Sequence, residues 1–209
     1  MAALDDGDNG TDMKSLTKRH LMQDVINQAT NGCDGWLVLV VDAVATRVLS
    51  SVVKMYDIME NRITLIENLQ KKRQPFPEME VIYLISPTAA SLNTLVKDFQ
   101  NPAKPTYGDV HLYFLSKVDD ASMEILTGCP ALIDRVKTFK EINVNYIAAE
   151  AQVFHFDEPR CFAELYGGLP PPQGLTPLPE RMAAKLLTVC STMHECPLVR
   201  CRARNDTMQ

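Results

Sequence analysis

The sequence predicts an α/β protein with an open, doubly wound sheet of five parallel strands flanked by helices, followed by the start of a truncated second domain. Two observations lead to this prediction. Apolar strand-like runs alternate with helix-like segments over the first 150 residues, and the run at residues 36–41 is apolar on both faces. Such runs are typical of parallel strands that helices cover on each side.

Each predicted element follows from its local pattern. Apolar residues at helical spacing indicate a first helix, which Asn31 and Gly32 would end. Continuous apolar runs indicate the strands, and the run at residues 62–69 is short and ambiguous. The predicted elements of this half are a helix (13–30), a strand (36–41), a helix (43–54), a strand (62–69), a strand (81–86) and a helix (89–99).

The second half continues the alternation and then changes character after residue 150. Its predicted elements are a strand (110–115), two short helices (122–127 and 131–139), a fifth strand (144–149), a strand-like run (153–156), a Pro-rich linker (167–172) and a final amphipathic helix (179–195). We therefore expect a disordered leader at 1–13, an α/β domain at 14–150 and the start of a truncated second domain at 151–209.

Composition excludes several classes of function. The net charge of -5 and the pI of about 5.4 argue against nucleic acid as the main ligand, because phosphate binding requires a dominant basic field. The six cysteines form no C-x-x-C motif and are predicted to be free thiols in a reducing cytosol. No run approaches the roughly 18 apolar residues of a membrane span.

Catalysis has little support in the motifs. The four histidines are far apart in sequence and lie in no metal or nucleophile motif, so no catalytic residue, metal or cofactor is implied. The turn after the first strand, residues 42–45, contains no glycine with which to hold a phosphate. One alternative remains open: Asp42, at a strand end, could serve a receiver-like or phosphate-binding α/β enzyme. Val40 and Val41 precede it, where such a site needs a second acidic residue.

Several phrases of the sequence together resemble a known family. They are W-L-V-L-V-V-D at 36–42, L-S-S-x-x-K-M-x-D-I-M at 49–59, I-T-L-I-E-N-L at 63–69, V-I-Y-L-I-S-P at 81–87, K-E-I-N at 140–143 and Q-V-F at 152–154. In these the chain resembles the N-terminal portion of the SM family of syntaxin-binding proteins, cytosolic regulators of SNARE-driven vesicle fusion. The likeness is to its neuronal, plasma-membrane branch in particular.

This resemblance implies two surfaces that contact syntaxin. The first would grip the closed helical bundle of syntaxin, and its matching positions are Asp42, Arg47, Ser50, Lys54, Glu67 and Lys71. Charges of both signs near a strand end can steer and orient a charged helical partner. Without the resemblance, the same residues are equally consistent with a solvent-exposed protein surface on which charged side chains form ordinary ion pairs.

The second implied surface resembles an outer pocket for the short N-terminal peptide of syntaxin. Its matching positions are Val118, Met123, Val136, Phe139 and Glu141. An apolar groove between two short helices could bury a leucine-type anchor while the carboxylate pairs with an arginine of the peptide. Val136 and Phe139, three apart on a predicted helix, could equally seal that helix onto the sheet.

The resemblance thus implies a non-enzymatic syntaxin- and SNARE-binding regulator of vesicle docking, exocytosis and protein transport. The expected location is the cytoplasm, with recruitment to the plasma membrane or secretory membranes by syntaxin. No nucleic acid is expected as a partner, and the membrane would be met only through syntaxin.

Overall fold

The computed structural model describes residues 11–172 and 175–200. The predicted leader, 1–13, lies outside the described residues except for its last three positions. Asp12 caps the first helix with its carboxylate, and Met13 is the first residue of that helix and is buried. The last two positions of the predicted leader, Asp12 and Met13, therefore belong to the cap and first turn of α1.

Helices and strands alternate along the chain. The helices are α1 (Met13–Leu21), α2 (Gln28–Asn31), α3 (Ala43–Val52), α4 (Met55–Met59), α5 (Ala89–Lys97), α6 (Asp120–Thr127), α7 (Pro130–Ile133), α8 (Cys161–Tyr166) and α9 (Leu178–Met193), and a π-helical segment, Met22–Asn27, joins α1 to α2. The strands are β1 (Leu37–Val41), β2 (Ile63–Asn68), β3 (Glu80–Ile85), β4 (Val110–Phe114), β5 (Val136–Glu141), β6 (Ile147–Glu150) and β7 (Val153–His155).

Five strands form one parallel sheet in the order β2-β1-β3-β4-β5. The predicted open, doubly wound parallel sheet is thereby confirmed. The order reverses direction at β1, because the chain first adds β2 on one side and then returns to add β3 on the other. Open sheets of this kind have a crevice at that point, beyond the carboxyl ends of the strands.

The sheet separates two apolar cores. Leu37, Leu39 and Val41 point to the first face, which α1, α3 and α9 cover. Val38 and Val40 point to the second face, which α5, α6 and α7 cover. All five residues of β1 are buried, as the continuous apolar run of this strand predicts.

The identity of the fifth strand was predicted wrongly. The expected helix at 131–139 ends at Ile133, and its second half is the edge strand β5. The segment predicted as the fifth strand, 144–149, instead contributes β6, which pairs antiparallel with β7 in a separate two-stranded sheet.

A β-bulge in β5 explains this error. Val136 pairs with Val110 and Thr138 pairs with His111, so Lys137 has no partner on β4. The extra residue disturbs the two-residue alternation of a strand, and apolar side chains then recur at a spacing of three. A spacing of three is also what a helix shows.

Two further helices frame the sites described below. The predicted helix at 43–54 is shorter than expected, because Val53 is extended and α4 starts at Met55. The predicted final helix is confirmed as α9, whose Val189 packs into the first-face core. No helix among the residues that the structure describes is long and apolar enough to cross a membrane.

Candidate functional site

Asp42 lies at the carboxyl end of β1 and is 3 % exposed. Its Oδ1 accepts the backbone N–H of Ala45 at 2.8 Å and so caps α3, and its Oδ2 accepts the backbone N–H of Ser86 at 2.7 Å. The Ser91 hydroxyl donates to the same Oδ2 at 3.1 Å. The carboxylate thus joins the ends of β1 and β3, and its oxygens face protein donors rather than solvent.

This geometry bears on both predicted roles of Asp42. The receiver-like alternative needs a carboxylate open to a metal ion or phosphate, and here both oxygens already accept protein hydrogen bonds. Among the described residues no group of three or more His, Cys, Asp or Glu side chains could hold a metal ion. For the predicted partner surface, Asp42 lies beneath the exposed residues and holds the helix that carries them.

Two of the predicted binding residues lie on the exposed side of α3, and a third follows just after this helix. Arg47, Ser50 and Lys54 are exposed, whereas Val48 and Leu49 are buried against the first face. Spacings of three and four place exposed side chains on one side of a helix. Lys54 lies just beyond α3, at the N-cap of α4, after the extended residue Val53.

Arg47 already has a partner within the chain. Its Nε lies 2.6 Å from Oδ2 of Asp157, in the loop after β7, and the two side chains are 50 % and 36 % exposed. Asp157 adopts a positive φ of 52°. An ion pair this exposed contributes little to stability, so a binding partner could replace it at low cost.

Glu67 and Lys71 lie around the edge strand β2. Glu67 pairs in register with Val40 and therefore points to the second face, where its Oε2 accepts the hydroxyl of Tyr107. Burial first, and then the Glu67 carboxylate, raise the pKa of Tyr107. Lys71 is exposed in the turn after β2. We call Arg47, Ser50, Lys54, Glu67 and Lys71 the β2-edge surface.

Sequence reasoning missed a buried ion pair behind this surface. The turn at 70–75 reads as a solvated charged turn, but the side chain of Arg73 is only 5 % exposed. Its Nη2 donates to both oxygens of Asp98, at 2.8 and 2.6 Å, and Tyr83 donates to Asp98 Oδ2 at 2.6 Å. Arg73 Nη1 also donates to the backbone carbonyls of Asn68 and Leu69. The turn that carries Lys71 is therefore fixed from within.

The second predicted set gathers at the opposite edge of the sheet. The β5 bulge brings Val136, Phe139 and Glu141 to the second face, since they pair with β4 residues of that face. Glu141 Oε1 accepts the backbone N–H of Val118 at 2.8 Å. We call Val118, Met123, Val136, Phe139 and Glu141 the β5-edge surface.

The members of the β5-edge surface differ in exposure. Val118 is 8 % exposed and packs in the second-face core, which Val136 also contacts. Phe139 is 43 % exposed, and its ring centroid lies 5.3 Å from that of Phe114. Met123 on α6 is also partly exposed. The five positions belong to the loop before α6, to α6 and to the edge strand β5, and not to two short helices as predicted.

Glu67 on β2 and the residues of β5 lie at opposite edges of the sheet, whereas α3, which carries Arg47 and Ser50, packs over β1 and β3 between these edges. β2 and β5 are its outer strands, so four strand spacings, about 19 Å, separate them. A partner that reaches both surfaces must cross the sheet or pass around it.

Comparison with known proteins is consistent with this architecture. The model of the Sec1 family matches residues 37–209. The chain belongs to the Sec1 family. Membership confirms the resemblance to SM proteins and accounts for the five-stranded sheet with its helical layers.

Individual relatives agree. The chain is 34 % identical over 193 residues to the protein transport protein sec1 of Dictyostelium discoideum, covering 91 % of this chain and 31 % of the relative. It is 27 % identical over 192 residues to the SNARE-interacting protein KEULE of Arabidopsis thaliana, covering 91 % and 29 %. Among solved structures, the Unc18-syntaxin 1 complex of Monosiga brevicollis matches with a TM-score of 0.75 and 33 % identity, covering 88 % and 31 %. The chain thus spans about a third of the length of each of these Sec1-type proteins.

Proposed function

We propose that this chain is a non-enzymatic protein-binding module that binds a syntaxin-type SNARE and regulates vesicle docking and fusion. The observation that carries the proposal is the likeness to an Unc18 protein solved with syntaxin 1, at 33 % identity over 88 % of this chain. The name of the Arabidopsis relative, a SNARE-interacting protein, supports the same class of partner. Exocytosis, vesicle-mediated transport and intracellular protein transport are the processes it would serve.

The β2-edge surface is proposed to contact the closed helical bundle of the partner. Buried contacts of Asp42 and Arg73 fix α3 and the turn after β2. The exposed charges of this surface, those of Arg47, Lys54 and Lys71, are all positive. Such charges favour correct orientation and fast association more than high affinity. Asp42 acts as a positioning residue for Arg47 and Ser50, because it caps the helix that carries them.

The β5-edge surface is proposed to take the N-terminal peptide of the partner. Phe139 offers a half-exposed ring for an apolar anchor, and Val118 and Val136 form the apolar floor beneath it. Glu141 uses Oε1 to hold Val118, which leaves Oε2 for a cationic side chain of the peptide. Binding at this edge and at β2 would control whether the partner is closed or available for SNARE assembly.

Domain organisation and location follow as part of this proposal. Residues 14–150 would form the binding domain, and residues 151–209 would begin a second domain. The module would act in the cytoplasm and reach the plasma membrane or secretory membranes through the membrane anchor of its partner.

Calorimetry with synthetic peptides tests the proposal. The 209-residue chain is titrated with a syntaxin N-terminal peptide and with the same peptide carrying alanine in place of its arginine and leucine anchors. Saturable binding of the first alone supports the peptide site. Absence of binding by the first, at concentrations up to about 1 mM, would remove this part of the function.

A further inference from the structure

A cleft of about 810 Å³ lies beyond the carboxyl ends of β1, β3, β4 and β5, with α9 as its far wall. We call it the strand-end cleft. It includes the point where the strand order reverses, the usual ligand position in open α/β sheets.

The cleft is poorly suited to a phosphate. The two helices that begin beside it, α3 and α5, already have their first N–H groups capped by Asp42 and by Thr88. Four cationic side chains and four carboxylates line the cleft, so no net positive charge is available for an anion. The lining therefore favours a neutral, extended ligand.

The polar groups of the cleft match those of a polypeptide backbone. The hydroxyl of Ser86 is buried, and it has no hydrogen-bond partner within the part of the chain that the structure describes. Asn143 and Asn145 add amide side chains, each with donors and an acceptor. Val48 and Leu187 supply apolar wall for a side chain between these groups. A peptide segment can use all three features at once.

The position of the cleft identifies which segment would lie there. Arg47 of the β2-edge surface and Glu141 of the β5-edge surface both line it, so the cleft runs from one proposed surface to the other. From β1 to β5 there are three strand spacings, about 14 Å, which four to five extended residues span at roughly 3.3 Å each.

We propose that the strand-end cleft binds the extended segment of the SNARE partner that joins its N-terminal peptide to its helical bundle. This inference rests on the proposed function and adds a third contact to it. The chain would thereby hold the two parts of the partner in a fixed relation, rather than as two independently tethered ligands.

Two neighbouring alanines of α9 provide the test. Ala184 lines the cleft, whereas Ala183 is exposed and does not line it. Ala184→Trp would place an indole ring in the cleft and obstruct an extended ligand, and Ala183→Trp is the matched control with the same added volume. Circular dichroism and thermal unfolding of both variants show whether either change disturbs the fold.

Calorimetry of the 209-residue chain then uses three probes: a syntaxin fragment containing both peptide and bundle, the peptide alone and the bundle alone. Ala184→Trp is expected to weaken binding of the joined fragment about tenfold relative to Ala183→Trp, with both separate pieces unaffected. Replacing the joining segment by a Gly/Ser chain of equal length should weaken wild-type binding by the same factor, and Ala184→Trp should then add no further loss.

Equal affinities of the two variants for the joined fragment would overturn the cleft proposal while leaving the two surfaces intact. The proposal would also be overturned if Ala184→Trp, but not Ala183→Trp, lost binding of the separate peptide or of the separate bundle. The cleft would then belong to one of those two sites. Failure of both pieces to bind the wild type would instead overturn the proposed function, and the cleft assignment with it.

Discussion

Asp42 Oδ2 accepts the backbone N–H of Ser86 at 2.7 Å, although 44 residues separate the two in sequence. This bond closes the gap between the ends of β1 and β3 at the position where related sheet architectures bind ligands. Sequence analysis selected this carboxylate for catalysis or for partner contact. In the structure it holds the ends of two strands together by hydrogen bonds. It fixes the start of α3 and, through it, the exposed side of that helix.

Replacing Asp42 should destabilise the protein more than loss of an ordinary helix cap. Asp42→Ala leaves the N–H groups of Ala45 and Ser86 without their acceptor, and we expect a loss of about 3 kcal/mol in the free energy of unfolding. Urea denaturation measures it. The control is Asp119→Ala, which removes a cap with no second-strand contact and should cost about 1 kcal/mol. Equal losses for the two variants would contradict the role of Asp42 as a tie between strands.

Phe139 should contribute to peptide binding rather than to folding. Phe139→Ala removes a half-exposed ring at the edge of the second-face core, and we expect at least about tenfold weaker binding of a syntaxin N-terminal peptide. Calorimetry measures the affinity, and thermal unfolding reports stability. Phe162→Ala, at a ring that is 74 % exposed on α8, is the matched control. Unchanged peptide affinity in Phe139→Ala would remove this residue from the site.

Asp157 should compete with the partner for Arg47. Asn tolerates the positive φ of this position, so Asp157→Asn removes the charge with little backbone strain. We expect a stability change below about 1 kcal/mol and severalfold tighter binding of the closed bundle, because Arg47 is released from its ion pair. Titration of the bundle at low salt measures this effect.

The control for that experiment is Glu150→Gln, which breaks a comparably exposed pair with Lys14. Weaker binding in Asp157→Asn would show that Asp157 orients Arg47 for the partner instead of competing with it.

Glu80 should make stability fall at acidic pH. Burial alone would raise the pKa of Glu80, but hydrogen bonds with Lys137 and His111 outweigh it and hold the pKa below its ordinary value of 4.5. A carboxylate with a lowered pKa stabilises the fold above its unfolded value, and this contribution is lost as pH falls through the folded value. Thermal unfolding between about pH 6 and pH 3 should therefore show a smaller decrease for Glu80→Gln than for wild type.

Glu78→Gln serves as the control for this measurement, because Glu78 is exposed two residues earlier in the chain. Identical pH profiles for Glu80→Gln and wild type would show that the interactions of Glu80 do not differ between the folded and unfolded states.

The central strands could be predicted from the sequence because their signal is local. β1 is buried at every residue and its run is apolar without interruption, and the runs of β3 and β4 are each interrupted by one residue, Glu80 and His111. The edge strand β5 is half-exposed and carries a bulge, and neither feature leaves a distinct pattern in one sequence. Its residues therefore resembled a helix until their pairing with β4 was visible.

For a similar reason, the sequence predicted the surroundings of some site residues and not of others. Exposure of Arg47 and Ser50 follows from their helical spacing on α3, and the sequence sufficed for it, whereas Lys54 lies outside that helix. Contacts such as Arg73 with Asp98 and Asp42 with Ser86 join residues 25 and 44 positions apart, and they depend on how strands are arranged in space. A charged turn gives no sign of which of its side chains will be buried.

The bulge at Lys137 determines which side chains of β5 point to each face of the sheet. Strand side chains alternate, so a single inserted or deleted residue exchanges the two faces for every residue that follows. If Lys137 instead paired with β4 like its neighbours, so that β5 had no bulge, Val136 would point to the face opposite Phe139 and Glu141. Five strands would still form a sheet, but the apolar floor and the carboxylate would face opposite layers of helices. The way in which Lys137 is accommodated, bulged out or paired, therefore decides whether this edge keeps one continuous recognition surface on an unchanged fold.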